Sequence, residues 1–251
     1  MERYCPGMHP EATSGTGSAG VSAAGSIVDF PSNGSTGSGY FAPAVGGSGP
    51  GILVIQEWWG LVPHITDVVD RYAAAGFSAL APDLYRGETT TEPDEAGKLM
   101  MALNIDQAAN DLTGAIDFLL GSDAVSSSKV GVTGFCMGGG LALVIATRAP
   151  GSIAACAPYY GLIPWAEAAP DWSRLDAPVR GHYAAEDDFF TPEAAAALQA
   201  ELQALGKDAV LTVHPGVGHA FFNDARPEVY DAATAELCWD DTTSFFRSTV
   251  R

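Results

Sequence analysis

Six short apolar runs recur along the chain, at residues 51–56, 77–81, 129–133, 153–157, 178–184 and 210–214. The run Gly51-Ile52-Leu53-Val54-Ile55-Gln56 is apolar at nearly every position, the pattern of a parallel strand buried on both faces. Between the runs the spacing turns helical. Residues 63–75 place Ile65, Val68, Val69 and Ala73 on one side. Further helices are predicted over 94–120, 139–147, 192–205 and 227–246. Ahead of the first run, 26–30 and 39–43 form an edge hairpin with Asn33-Gly34 as the turn signal. Strands alternating with helices predict an α/β fold, a doubly wound and mostly parallel sheet in a single domain. That domain spans 25–251. Residues 1–24, rich in Gly, Ser and Ala, read as a loosely ordered leader. No internal repeat or second domain is visible.

Length and composition narrow the function. The 251 residues suffice for one large α/β domain. Thirty acidic against 12 basic side chains leave a net charge of −18, and only Lys98, Lys129 and Lys207 are lysines. Nucleic acid is therefore a poor partner, because phosphate neutralisation needs a basic face. No apolar run approaches the roughly 20 residues a membrane helix requires. The N-terminus lacks a secretory pattern, so no membrane and a cytoplasmic location are expected. Of the cysteines, Cys5, Cys136, Cys156 and Cys238, none forms a CxxC pair, so no metal site is expected. Cys156 and Cys238 fall in apolar segments and are expected in the core.

Cys136 stands apart. Gly134-Phe135-Cys136-Met137-Gly138 has the G-x-nucleophile-x-G form of a strand–turn–helix elbow, with cysteine at the nucleophile position. In such a fold the order is nucleophile, acid, base. Asp187 and Asp188 both follow the 178–184 strand, and His219 follows the 210–214 strand. His219 is the expected base, and the aspartate would orient its imidazole. His182 and His214 sit inside strand runs and are expected in the core. His64 lies at a helix start beside the pocket, and His9 lies in the leader. The N–H groups of Met137 and Trp58 are the candidate oxyanion donors. Trp58 and Trp59 close a strand where open α/β sheets bind ligands.

These residues resemble the dienelactone hydrolase family (carboxymethylenebutenolidase-like proteins of the α/β-hydrolase superfamily). The resemblance covers about residues 25–250. It rests on Gln56-Glu57-Trp58-Trp59-Gly60, Ala81-Pro82-Asp83-Leu84-Tyr85, Gly134-Phe135-Cys136-Met137-Gly138-Gly139, Tyr159-Tyr160-Gly161, Ala185-Glu186-Asp187-Asp188 and Gly218-His219-Ala220-Phe221. It implies a cofactor-free hydrolase, monomeric or weakly associating, that opens a small lactone or ester through a thioester. The family spacing, with the acid four residues before a proline, selects Asp188 over Asp187. Glu57 corresponds to a glutamate that contacts the resting thiol.

The chain departs from the family where arginines bind the substrate carboxylate. Gly87 and Asn223 occupy those positions, with Arg86 and Arg226 nearby. Tyr85, Trp58, Trp59, Tyr159 and Tyr160, joined by Phe221 and Asn223, suggest an aromatic pocket for a larger or less charged ester. A thioesterase or acyltransferase on the same triad, and a non-catalytic ligand-binding relative, are the alternatives.

Overall fold

In chain order the elements are β1 (Ser26–Ser32), β2 (Ser35–Ala42), β3 (Gly51–Ile55), α1 (Pro63–Ala74), β4 (Ser78–Pro82), α2 (Pro93–Ala102) and α3 (Ile105–Gly121), then β5 (Val130–Phe135), α4 (Met137–Arg148), β6 (Ile153–Tyr159), β7 (Val179–Glu186), α5 (Pro192–Ala204), β8 (Ala209–Gly218) and α6 (Ala232–Thr249). They come from a computed structural model that describes residues 25–163 and 168–251. The leader 1–24, with Cys5 and His9, lies outside the described residues.

The strands form one sheet in the order β1-β2-β4-β3-β5-β6-β7-β8. β1 pairs antiparallel with β2, and β2 with β4; every pairing from β4 through β3 to β8 is parallel. The hairpin turns where the sequence places it. Asn33 and Gly34 have φ of 40° and 84°, the left-handed pair that a two-residue turn needs to match strand twist. β3, β4 and β5 are buried at every position, which accounts for their unbroken apolar runs.

α1 packs with α6 through Tyr72, whose ring centroid lies 4.6 Å from that of Trp239 and 6.1 Å from that of Phe246. α3 packs beside α4, and Arg148 reaches Asp106 at 2.8 Å. Both α1 and α3 touch β3 and β4, so the two pairs cover opposite faces of the sheet.

One helix starts several residues later than the sequence reading places it. The helix predicted from 227 starts at Ala232, because Asp231 caps it by accepting the Thr234 N–H at 2.8 Å. Residues 226–230 instead turn back on themselves, with Val229 and Tyr230 both donating to the Arg226 carbonyl. The helical stretch over 94–120 is broken between α2 and α3, where the Asn104 side chain caps α3.

This topology brings four loops together. Glu57, Cys136, Asp187 and His219 each lie within two residues of the C-terminal end of a parallel strand: β3, β5, β7 and β8. The strands are parallel, so these ends share one edge of the sheet, the edge at which open α/β sheets present their ligand crevice.

Candidate active site

Cys136 occupies the turn from β5 into α4 with φ 54° and ψ −120°, a backbone strain characteristic of functional positions. Its surroundings enforce that turn. A Cβ on Gly134 would overlap the Gly138 carbonyl, and one on Gly138 would overlap the carbonyls of Ile55 and Gln56 on the neighbouring strand. Only glycine fits at either place. The thiol is 9 % exposed, on the wall of a cavity of about 340 Å³. Met137 opens α4, so its N–H has no partner within the helix and carries the positive end of the helix dipole.

His219 lines the same cavity. Its Nδ1 lies 2.7 Å from Asp187 Oδ2. The other oxygen, Asp187 Oδ1, accepts the backbone N–H groups of Phe189 at 2.8 Å and Phe190 at 3.0 Å. Asp187 is buried and Asp188 is exposed, so the carboxylate bonded to the imidazole in this structure is Asp187, whereas the sequence reading selects Asp188. The physical reason is local. A carboxylate that accepts N–H groups two and three residues ahead is held in a turn of its own chain, and that turn aims its other oxygen at the histidine.

Burial alone would lower the pKa of His219. The hydrogen bond to Asp187 and the nearby Cys136 thiol outweigh it and raise the group to about 10. For Asp187, burial pushes the pKa up, but the His219 bond and the two N–H donors carry it below the usual carboxylate value.

Glu57 is 1 % exposed and faces the cavity from the end of β3. Burial raises its pKa, against the opposing pull of His64, His219, Asn223 and Arg226. The Asn223 side chain donates to Glu57 Oε2 at 2.7 Å. Asn223 therefore positions the glutamate rather than lining the cavity.

Of the remaining sequence candidates, Trp58 and Trp59 line the cavity, with ring centroids 5.0 Å apart. Several others do not. Tyr159 points away into the core, where its hydroxyl donates to the Cys238 carbonyl at 2.9 Å and meets Thr242 at 2.7 Å. Tyr160 and Phe221 are fully buried behind His219, with ring centroids 5.3 Å apart. Tyr85 donates its hydroxyl to the Met137 sulfur at 3.2 Å and backs the elbow from inside. Arg86 reaches the Thr36 carbonyl at 3.0 Å and Asp111 at 3.1 Å, outside the cavity. A strand directs neighbouring residues to opposite faces, and an arginine folds onto the nearest buried carboxylate; neither is visible in residue type alone.

The aromatic wall comes instead from Phe189 and Phe190, which the sequence reading missed; both rings lie within 5.8 Å of the His219 ring. Their signal was available, two phenylalanines directly after the acidic pair. Arg226 also reaches the cavity, with its guanidinium 5.6 Å from the Trp59 ring. His64 is buried, bonded to Asp224 at 3.0 Å, and lines an adjoining cavity of about 510 Å³. Among the described residues, no helix is long and apolar enough to cross a membrane.

The other buried histidines lie apart from the cavity. Burial and the neighbouring His214 push His182 down to about 3, and burial lowers His214, so both are neutral at pH 7.

Comparison with known proteins shows the family. Residues 38–250 match the sequence profile of the dienelactone hydrolase family. The chain is 37 % identical over 234 residues to "Protein usf" of Aquifex pyrophilus, covering 89 % of this chain and 98 % of that one. It is 33 % identical over 238 residues to a protein of Aquifex aeolicus named "Putative carboxymethylenebutenolidase", covering 90 % of this chain and 100 % of the relative. Among solved structures, one from Klebsiella pneumoniae named "Putative Dienelactone Hydrolase" superposes with a TM-score of 0.77 at 26 % identity, covering 88 % of this chain and 99 % of that one.

Proposed function

The chain belongs to the dienelactone hydrolase family of lactone and ester hydrolases, and on that premise we propose that it cleaves a small lactone or carboxylic ester through a thioester on Cys136. The Asp187–His219 pair set against the elbow thiol carries this reading. His219 takes the thiol proton and, with its pKa raised to about 10, holds it as an imidazolium beside the thiolate, and Cys136 Sγ adds to the carbonyl carbon as that thiolate. The negative oxygen that forms accepts the N–H groups of Met137 and Trp58. Collapse breaks the ester C–O bond, and His219 returns the proton to the departing oxygen. In a lactone that oxygen stays tethered to the acyl group. Water, deprotonated by His219, then hydrolyses the thioester and releases the thiol. Asp187 holds the imidazole tautomer and stabilises its charge throughout.

Glu57 suits this cycle because burial favours its neutral form, which does not repel a thiolate. Trp58, Trp59, Phe189 and Phe190 favour an apolar acyl or alcohol part. Arg226, the one lysine or arginine lining the cavity among the described residues, favours a substrate with a single anionic or polar end. The experiment is hydrolysis of p-nitrophenyl acetate by the wild type and by Cys136→Ala, with intact-mass detection of the acylated protein. Turnover and an acyl adduct in the wild type, both lost in the variant, are expected. Equal rates in the two proteins would remove Cys136 as nucleophile.

A further inference from the structure

Away from the catalytic cavity, His182 on β7, His214 on β8 and Cys238 on α6 converge. We propose that these three side chains form a buried zinc site that clamps α6 to the sheet. Their donor atoms lie within 4.8 Å of one another. His182 Nδ1 is 3.1 Å from His214 Nε2, and Cys238 Sγ is 3.3 Å from that same nitrogen. Tetrahedral zinc, with bonds of about 2.0–2.1 Å to nitrogen and 2.3 Å to sulfur, spaces its ligands by about 3.3–3.6 Å. The two contacts to His214 Nε2 need to spread by only a few tenths of an ångström to accept the ion, and the third pair already lies within 4.8 Å. A search for adjacent cysteine pairs overlooks this set, because its members lie 32 and 24 residues apart.

Proton accounting supports the assignment. The Cys238 carbonyl can only accept, and the Tyr159 hydroxyl donates to it at 2.9 Å. Tyr159 has then spent its hydrogen, so Thr242 donates to Tyr159 across their 2.7 Å contact. Thr242 has then spent its own, so His182 Nε2–H donates to Thr242 at 3.1 Å. A neutral His182 with its proton on Nε2 carries a bare lone pair on Nδ1, the atom that faces the other two donors. A ring N–H anchored on the far side is the outer-shell arrangement that orients metal-binding histidines. The Asp241 carboxylate, 3.5 Å from His182 Nε2, adds to that anchor. Without an ion, the single His214 Nε2 faces both His182 Nδ1 and Cys238 Sγ with one hydrogen or one lone pair to offer. With an ion, each donor directs a lone pair at the same point. Binding replaces the thiol hydrogen with a Zn–S bond and releases one proton. A water molecule completes the tetrahedron.

The test uses the full chain, stripped with a chelator and titrated with Zn²⁺ and with Co²⁺ as a spectroscopic probe. A Cys136→Ala background removes the catalytic thiol as a competing ligand. The expected result is one ion per chain, a thiolate-to-cobalt charge-transfer band, intense tetrahedral d–d absorption, and a Tm that rises with Zn²⁺. Adding Cys238→Ser should abolish the charge-transfer band and weaken Zn²⁺ binding at least about 100-fold. Thr242→Val, which removes the outer anchor and leaves all three ligands in place, should weaken it about 10–100-fold. If Cys238→Ser fails to fold, the Cys136→Ala titration and Thr242→Val decide. Absence of stoichiometric binding to the folded Cys136→Ala protein overturns the site, as does a charge-transfer band that survives Cys238→Ser.

Discussion

At the residue scale, the proposed chemistry turns on which of two adjacent aspartates faces the imidazole. Asp187 is buried and bonded to His219; Asp188 is exposed. Asp187→Asn should therefore reduce kcat by about 10³–10⁴-fold, the loss expected when a triad histidine is held in the wrong tautomer. Asp188→Asn should stay within about twofold of wild type, a bound set by the small effects usual for exposed side chains. Steady-state kinetics on p-nitrophenyl acetate checks both, and the reverse ranking would restore Asp188. The same contact links stability to pH. The folded-state pKa of His219, about 10, lies above its ordinary value of 6.5. Its protonation therefore stabilises the fold in full below about pH 6.5, and that contribution is lost as pH rises through about 10. Urea unfolding across this window should show stability falling with pH, with a flatter profile for His219→Gln. Identical slopes would contradict the assignment.

At the element scale, the elbow is the most constrained piece of backbone in the site. β5 must stop, reverse and launch α4 within a single residue at positive φ, while Gly134 and Gly138 pass close to carbonyl oxygens. Gly134→Ala and Gly138→Ala should each cost about 1–3 kcal/mol or more, because the methyl group meets backbone that has nowhere to move. Gly121→Ala in α3 makes a fair control, since its Cβ would meet open space; it should be neutral or stabilising. Denaturant midpoints separate the two outcomes. The elbow was legible because its glycines have no substitute, whereas the start of α6 was misplaced because Pro227 imitates a first-turn proline. The Asp231 cap was the better signal.

At the scale of the whole molecule, a net charge of −18 at pH 7 opposes compaction through self-repulsion. Raising ionic strength from about 0.01 to 0.15 M shortens the screening length from about 30 to 8 Å, so Tm at pH 7 should rise with salt. A calorimetric Tm that falls over this range would mean that specific ion pairs, such as Arg148 with Asp106, outweigh the bulk repulsion. The charge also shapes the ligand surface. Among the described residues Arg226 is the one lysine or arginine lining the cavity beside Cys136, so a doubly anionic substrate finds little compensation there.

The sequence by itself determined the class of fold, the hairpin and the elbow. Those features depend on local backbone geometry and on chain order, and both are written in residue type and spacing. Tertiary structure alone decided that Tyr159 and Arg86 leave the cavity, and that His182, His214 and Cys238 meet. These outcomes depend on where a side chain points once strands from distant parts of the chain pair and a helix packs across them. Direction of that kind is a property of the assembled sheet, and no stretch of residues encodes it on its own.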